Sequence, residues 1–295
     1  MIKNLKSVLL FVVCLVTTTA FAQDYDMSDL EFLQFNGPIK KVSCYKANEV
    51  LGNVVKEYLF KTEVFTSNGF LVSRRVFNID GQVIMMDSCE YENGDKVKVY
   101  SGNSPDKLNL TQSMKYDSNH NVIEHIYYGY DGSETQKWVY TYKKKQKISW
   151  EWYTMGNLFR KYDYIYNKQG ELIESRYDKF VITSTYQDGK LVSSVGTDGT
   201  SYTAEYDKNG NKIKEEVAGM VTTYKYQNGF LVESIMTRPD NEMTRSYFKG
   251  KSVLRTVQKN DKDGNPTEKQ SFYSDGAGTP ETLNEFFIFE YEYYK

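Results

Sequence analysis

Apolar and polar residues alternate with a period of two along most of this chain. The alternation is clearest at 138–142, 148–152 and 287–293, where a large apolar side chain occupies every second position. Successive side chains of a β-strand point to opposite faces, so this pattern predicts half-buried antiparallel strands. Helical periodicity is nearly absent, and only a capping-box sequence at 28–31 predicts the start of a short helix.

Glycine directly follows asparagine or aspartate at eleven of its 20 positions. These eleven are Gly37, Gly69, Gly81, Gly94, Gly132, Gly189, Gly199, Gly210, Gly229, Gly264 and Gly276. Asn-Gly and Asp-Gly are the preferred central pairs of type I′ turns, in which both residues have positive φ. The sequence therefore predicts many short hairpins that are closed by type I′ turns.

The later turn glycines recur with a nearly fixed period. Gly170, Gly189, Gly210, Gly229 and Gly250 are separated by 19, 21, 19 and 21 residues. A period near 20, in which each unit is one hairpin, is typical of a repeat protein. We therefore predict an all-β fold in which repeated β-hairpins form one elongated, curved antiparallel sheet and a single domain.

A longer motif recurs around several of these turns. Its fullest copies read Tyr-Asp-Lys-Asn-Gly-Asn-Lys-Ile at 206–213, Tyr-Asn-Lys-Gln-Gly-Glu-Leu-Ile-Glu at 166–174 and Tyr-Asp-Ser-Asn-His-Asn-Val-Ile-Glu at 116–124. Shorter copies lie at 186–192 and 226–233. This motif resembles that of the YD-repeat (RHS-repeat) family of bacterial exported proteins, and the resemblance covers about residues 68–276.

The resemblance implies strands wound into a continuous curved sheet, which large members of the family wrap around a C-terminal toxin. This chain is short, and we expect no toxin-sized domain after its last repeat. It is more similar to the small YD-repeat proteins exported by Bacteroidetes-type bacteria. We expect a repeat domain over residues 61–295, preceded at 23–60 by an N-terminal cap and the first strands.

Residues 1–22 match a secretory signal peptide. Lys3 and Lys6 form its charged start, and the following ten residues are almost wholly apolar. A small-x-small cleavage pattern at 20–22 precedes Gln23. The apolar run is too short for a membrane-spanning helix, which needs roughly 20 residues. We expect export to the periplasm, the outer cell surface or the medium, with no transmembrane segment after signal cleavage.

The charge balance is nearly neutral, with 37 Lys+Arg against 39 Asp+Glu and a net charge of −2. No basic excess is present to neutralise phosphates, so we expect no nucleic-acid partner. The mature chain keeps Cys44 and Cys89, both in strand-like stretches. An exported protein can hold disulfides, so the two cysteines form either a disulfide or two small apolar side chains. The sequence leaves both alternatives open.

Residues that could perform catalysis or hold a metal are few. No G-x-S-x-G, P-loop, HExxH or C-x-x-C pattern occurs. The histidines, His120 and His125, are expected to be solvated, one in a turn and one on a strand. The stretch from Glu205 to Glu216 is close to a calcium loop, but the repeat turn explains the same residues without a metal. We therefore predict that the protein is not an enzyme and has no catalytic residue, metal or cofactor.

The candidate ligand-binding residues form an aromatic strip beside a lysine-rich, solvated turn at 143–147. They are Trp138, Tyr140, Trp150 and Trp152. If the turn is centred on 143–145, pairs of residues whose numbers sum to 288 face each other, so that Trp138 opposes Trp150 and Tyr140 opposes Ile148.

Two functions fit this strip. The first is a non-enzymatic binding protein whose rings stack on a glycan or contact another cell-surface ligand, such as a cell-envelope protein. The second is a structural or protein–protein interaction repeat in which the same rings are core. The sequence does not separate these two hypotheses.

Overall fold

The computed structural model describes residues 35–239, 252–275 and 279–295. Most of these residues lie in antiparallel β-strands, and a single-turn 3-10 helix, Pro105–Lys107, is the one helical element in this part of the chain. The predicted all-β fold of repeated hairpins is confirmed. The predicted signal peptide and the helix start at 28–31 lie outside the described residues.

Twenty strands are present in the described ranges, and we number them in chain order. They are β1 (Ile39–Val50), β2 (Asn53–Phe65), β3 (Leu71–Phe77), β4 (Val83–Glu92), β5 (Asp95–Gly102), β6 (Leu108–Tyr116), β7 (Val122–Tyr128), β8 (Glu134–Lys143), β9 (Gln146–Thr154), β10 (Asn157–Tyr166), β11 (Leu172–Tyr177), β12 (Phe180–Gln187), β13 (Lys190–Gly196), β14 (Ser201–Tyr206), β15 (Lys212–Val217), β16 (Met220–Gln227), β17 (Phe230–Arg238), β18 (Ser252–Asn260), β19 (Pro266–Ser274) and β20 (Thr282–Tyr293). Where the structure describes the chain, it contains no helix that is long and apolar enough to cross a membrane.

The strands group into two compact units. The central unit comprises residues 112–221, and the terminal unit combines the described residues of 35–111 and 222–295. In the central unit, β6 to β15 each pair antiparallel with the next strand. In the terminal unit, β1 to β5 and β17 to β20 do the same. There β20 also pairs with β1, so β1 has partners on both sides.

The terminal unit buries a hydrocarbon cluster of three aliphatic side chains and one phenylalanine. Its buried members are Ile39, Val42, Phe65 and Leu71. Glu63, which pairs with Val42 across β1 and β2, has no exposed surface. Its carboxylate lies 2.8 Å from Arg74 Nε and 2.9 Å from Lys61 Nζ. Two cations therefore offset the cost of removing this charge from water.

The hairpin turns are of two kinds, of which the sequence predicted one. Asn93-Gly94, Asp188-Gly189 and Asn228-Gly229 have positive φ at both central residues, as type I′ turns require. In six other Asn-Gly or Asp-Gly pairs only the glycine has positive φ, and its N–H donates to the carbonyl three residues earlier. These six are Gly69, Gly81, Gly132, Gly199, Gly210 and Gly264. They close type I turns with a glycine bulge, so the type I′ prediction is wrong for them.

The aspartate or asparagine of the repeated motif builds the bulged turns with its side chain. Asp207 Oδ1 accepts hydrogen bonds from the N–H groups of Asn209 and Asn211, at 2.8 and 2.9 Å. Asn167, Asp117 and Asp261 make the same pair of bonds in their own turns. This local ring of hydrogen bonds fixes the loop without any partner from outside the turn.

The recurring tyrosine fastens the end of one strand to the start of the strand before it. Four tyrosines donate a hydroxyl hydrogen bond to a main-chain carbonyl there, at 2.7 to 3.1 Å. The pairs are Tyr91 with Leu71, Tyr166 with Lys147, Tyr206 with Leu191 and Tyr291 with Pro266. Tyr166 and Tyr206 belong to the repeated motif, so the tyrosine of the motif is a structural residue in these two copies.

Candidate functional site

Aromatic rings on consecutive strands of the central unit form a continuous series, which we call the aromatic ladder. It consists of Tyr127, Trp138, Trp150, Tyr162, Tyr177 and Phe180. Neighbouring ring centroids lie 4.4 to 5.8 Å apart. Aromatic pairs at such distances contribute about 0.5–1.5 kcal/mol each beyond their buried area. The ladder crosses six strands, β7 to β12.

The register of the β8–β9 hairpin differs from the predicted one by two residues. Trp138 faces Trp152 and Tyr140 faces Trp150, because Lys143 pairs with Gln146 and the register shifts beside Tyr142. The prediction placed the turn at the right lysines but did not include a bulge next to it. A shift of two leaves Trp138, Trp150 and Trp152 on their predicted face, so the three tryptophans still share one face of the hairpin.

Across the sheet, Tyr140, Trp150 and Tyr162 form one row of facing residues, which we call the stacked row. Trp150 lies parallel to Tyr162, with an interplanar angle of 3° and 4.4 Å between centroids. Trp150 Nε1 donates a 2.7 Å hydrogen bond to Tyr164 Oη. Tyr140 and Tyr162 are buried, and burial raises the pKa of Tyr162 to about 12, although Arg160 opposes this shift. Every polar atom discussed here has a partner, as in a packed core.

The neighbouring row contains His125, Trp138, Trp152 and Arg160, which face one another in that order, and we call it the donor row. Trp138 and Trp152 are half-buried. Within the described residues, neither indole nitrogen has a hydrogen-bond acceptor. An indole N–H can only donate, so each of these two groups is a donor without an acceptor. The two rows therefore differ in whether their tryptophans are satisfied.

The histidine of the donor row was expected to be solvated, and this expectation is wrong. His125 is buried, its Nε2 donates to Gln112 Oε1 at 3.0 Å, and its ring stacks on Tyr127 at 4.5 Å. Alternation of the strand places it on the face that carries the tryptophans. His120, by contrast, is an exposed turn residue as expected, with φ 63 at the position that glycine fills in other copies.

Arg160 is the residue of this site that the sequence analysis missed. Its guanidinium carbon lies 4.8 Å from the Tyr177 ring centroid and 5.2 Å from that of Phe159. Its Nη1 donates a 3.2 Å hydrogen bond to Tyr162 Oη. These contacts hold a positive charge at the end of the donor row. The signal in the sequence was the strand alternation after the Met155-Gly156 turn, which places Arg160 on the same face as Tyr162.

The lysine run at 143–147 was expected to be solvated, and this expectation is wrong for Lys147. Lys143 to Lys145 are exposed, but Lys147 is buried. Its Nζ lies 5.2 Å from the Tyr140 ring centroid, and burial lowers its pKa to about 8. The bulge beside the turn brings Lys147 opposite Tyr142 and so onto the aromatic face.

The residues considered for calcium are engaged in other contacts. Asp207 accepts three hydrogen bonds from its own turn. Among them, the bond from the Asn211 side chain contributes most to lowering the pKa of Asp207. Glu205 forms an ion pair with Lys214 at 2.8 Å. In the described ranges, no group of three or more histidine, cysteine or acidic residues is arranged to hold a metal ion.

Cys44 and Cys89 are both present as thiols. Cys44 lies in β1 and Cys89 in β4, so β2 and β3 run between them in the sequence of pairings. Three strand spacings correspond to about 14 Å, whereas a disulfide needs Cα atoms within about 7 Å. Cys44 is buried, and burial raises its pKa to about 12.

Comparison with known proteins gives only remote likenesses. No protein-family model and no curated protein matches the chain. Among solved structures, the TcdB2-TccC3-Cdc42 complex matches with 11% identity and a TM-score of 0.34, over 78% of this chain and 17% of that chain. A porin-like protein from Bacteroides uniformis matches with 14% identity and a TM-score of 0.30, over 86% of this chain and 98% of that one. These values assign neither a family nor a function.

Proposed function

We propose that this chain is an exported, non-enzymatic binding protein of YD-like repeats, and that a glycan is its ligand. The donor row is the binding site in this proposal. The observation that carries it is the pair of indole N–H groups of Trp138 and Trp152, which have no acceptor among the described residues. A buried donor without an acceptor costs about 1–3 kcal/mol, so such groups call for an explanation. Both nitrogens are themselves buried, so a ligand oxygen would accept from them only when the side chains that cover them move aside.

A glycan suits the site because it offers both kinds of contact. Its hydroxyl and ring oxygens accept hydrogen bonds, and the apolar faces of its rings stack on aromatic side chains. The half-buried Trp138 and Trp152 keep part of their surface accessible, whereas Tyr140 in the stacked row is buried. The stacked row then supports the site from the neighbouring position and takes no part in binding.

The second hypothesis, a structural or protein–protein interaction repeat, has its own support. The tyrosine hydroxyl bonds and the stacking of Trp150 on Tyr162 both contribute to the sheet itself. In that case the whole aromatic ladder is packing, and the two indole N–H groups stay buried among the described residues without an acceptor. A binding experiment separates the two hypotheses.

The test is a glycan array with the protein that lacks the predicted signal peptide, followed by calorimetry on each glycan that binds. We expect Trp152→Ala to weaken binding at least about tenfold, equivalent to about 1.4 kcal/mol. Tyr153→Phe is the matched control, since Tyr153 neighbours Trp152 and points to the opposite face. If no glycan binds and iodide does not quench tryptophan emission, the structural hypothesis replaces this one.

A further inference from the structure

The hairpin of β1 and β2 separates from its neighbouring strands before it reaches its turn. The register of β1 with β20 runs as far as Lys46, and that of β2 with β3 begins at Lys61. The register of β1 against β2 also shifts between Lys46 and Ala47. Such bulges bend a strand and increase its twist. All ten residues of 48–57 are exposed, so water surrounds most of this end of the hairpin.

The exposed end of the hairpin is apolar. We call residues 50–55 the hairpin tip, which reads Val-Leu-Gly-Asn-Val-Val and carries no charge. Its apolar side chains are exposed by 53, 97, 42 and 45% at Val50, Leu51, Val54 and Val55. Single exposed apolar side chains are ordinary, but a contiguous patch of them is typical of a surface that contacts a protein or a membrane.

Leu51 occupies a position that favours a polar residue. It is the first central residue of a type I′ turn, with φ 54. The left-handed conformation is unfavourable for a bulky side chain, and two other type I′ turns of the terminal unit have asparagine there, at Asn93 and Asn228. Because Leu51 is almost fully exposed, packing within the unit does not compensate for this conformation. This combination indicates a contact outside the chain.

The apolar side chains of the tip are spread over both faces of the hairpin. In the register of β1 against β2, Val50 and Val55 lie on one face and Val54 lies on the other. Leu51 forms the end between them. A flat protein surface would cover only one of these faces, whereas lipid can surround the whole tip. The distribution therefore favours a bilayer as the partner.

The charges beside the tip select the kind of bilayer. The first charged residues on its two strands are Glu49 and Lys56. Lys56 forms an ion pair with Glu290 of β20 and lies 4.4 Å from the Tyr45 ring centroid, so its charge is already compensated. Glu49 and Glu57 add two negative charges to the same stretch. The negative surface of an anionic bilayer would repel them, so zwitterionic headgroups suit this hairpin better.

We propose that the hairpin tip inserts into the outer part of a phospholipid bilayer with zwitterionic headgroups. A strand rises about 3.3 Å per residue, so Glu49 lies about 7 Å from Leu51 along the hairpin. Insertion to this depth reaches the boundary between headgroups and acyl chains and leaves the carboxylate among the headgroups. Deeper insertion is disfavoured, because hydrocarbon cannot satisfy the backbone groups at the edges of a two-stranded hairpin. This proposal does not depend on glycan binding.

Vesicle flotation of the protein that lacks the predicted signal peptide tests the proposal. We expect the protein to float with phosphatidylcholine vesicles, and added phosphatidylglycerol to weaken this binding. Leu51→Asn suits the turn but removes the most exposed apolar side chain of the tip, so it should weaken binding at least about tenfold. Leu51→Met should retain binding. Met155→Asn is the matched control, because Met155 has the same turn position in the central unit, with φ 49.

Fluorescence measures directly whether the tip enters the lipid. Leu51→Trp places an indole at the end of the turn, and phosphatidylcholine that is brominated on its acyl chains quenches an indole that reaches them. Relative to the unmodified protein on the same vesicles, we expect the additional emission to be blue-shifted and quenched. Circular dichroism of each variant establishes that the sheet is retained.

Four results would overturn the proposal. If the protein does not float with phosphatidylcholine vesicles, or if Leu51→Asn floats as well as the unmodified protein, the tip does not bind lipid. If Met155→Asn weakens binding as much as Leu51→Asn does, binding does not belong to this hairpin. If binding requires phosphatidylglycerol and is lost as salt increases, charge and not the apolar tip carries it. If Leu51→Asn instead abolishes a self-association seen by sedimentation, a second copy of the chain covers the tip.

Discussion

The two units of this protein fill the buried face of the same kind of hairpin repeat with different side chains. The terminal unit uses a hydrocarbon cluster around Val42 and Phe65 and a buried carboxylate, Glu63, between two cations. The central unit uses rings that stack from strand to strand, with Trp150 parallel to Tyr162 at its middle. Hairpin repeats therefore fix where strands lie but leave the chemistry of the covered face open.

This difference has a consequence for function. The four buried members of the terminal cluster have no polar side-chain atoms, so this cluster is complete once it is packed. Indole and phenol rings each carry a polar atom that needs a partner when buried. In the stacked row this need is met by the bond from Trp150 to Tyr164. In the donor row it is unmet within the described residues, and there we place the ligand.

The largest expected effect comes from removing the middle of the ladder. Trp150→Ala deletes a ring that stacks on Tyr162 and leaves Tyr164 without its donor. We expect the free energy of unfolding to fall by about 3–5 kcal/mol, as for other large aromatic deletions. Urea unfolding followed by circular dichroism measures this. Tyr153→Phe, on the other face, should change it little, and a loss below about 1 kcal/mol in Trp150→Ala would contradict a packing role.

The next effect tests the charge buried in the terminal unit. Glu63→Gln keeps the shape of the side chain but leaves Lys61 without this carboxylate and Arg74 with Asp87 alone, at 3.7 Å. Breaking a buried ion pair costs about 3–5 kcal/mol, and because both cations keep some contact with water we expect about 2–3 kcal/mol. Glu292→Gln, which removes an exposed pair with Lys41, is the control and should cost less than about 1 kcal/mol. Equal losses would show that Glu63 is solvated.

A smaller, pH-dependent effect should arise from Lys147 in the central unit. Burial lowers its pKa to about 8 in the folded protein, against 10.5 for an ordinary lysine. Between these values the unfolded chain binds the proton that the folded chain lacks, so stability increases with pH. We expect the free energy of unfolding to increase by about 1–2 kcal/mol from pH 8 to pH 9.5.

Urea titrations at pH 8, 8.5, 9 and 9.5 measure this increase. Lys147→Met removes the titrating group and should remove this contribution. Tyr162 and the other tyrosines whose pKa is raised by burial lower stability as the pH approaches 10, and they do so alike in both proteins. The Lys147 contribution is therefore the difference between the two profiles, and parallel profiles would mean that Lys147 reaches water.

The smallest effect concerns the cysteines of the terminal unit. We expect protein isolated without reductant to take up two alkyl groups in denaturant, as judged by mass spectrometry. In the folded protein Cys44 should react more slowly than Cys89, because burial holds the Cys44 thiol protonated. A peptide that joins Cys44 to Cys89 in a non-reduced digest would show that β1 and β4 lie closer than the pairing allows.

Several features of the site followed from the sequence alone. The alternation at 138–142 and 148–152 is local, so it placed the three tryptophans on one face before any pairing was known. The register was missed by two residues because a bulge near Tyr142 depends on how both strands pack, and the sequence carries no local mark of it. The same bulge turned Lys147 inward, against the expectation from a run of lysines.

The turns show the same limit. An Asn-Gly pair permits positive φ at either residue, and both type I′ turns and bulged turns use it. Asp207-Lys208-Asn209-Gly210 adopts the bulged form because the Asp207 carboxylate collects the N–H groups of two later residues. Asn228-Gly229 follows directly on its strand and adopts the type I′ form. The two forms differ in the residue that begins the turn. In the bulged form this residue is Asp207, and its hydrogen bonds show how it selects that form.

By itself, the sequence determined that the chain forms antiparallel hairpins, because strand alternation and turn preference depend on neighbours within a few residues. Tertiary structure alone decided which aromatic residues are satisfied. Trp150 and Trp152 are two positions apart on one strand and look alike in the sequence. Among the described residues, however, only Trp150 has an acceptor, which Tyr164 provides from β10. Cross-strand partners are separated in sequence by a distance that the register sets, so local patterns cannot identify them.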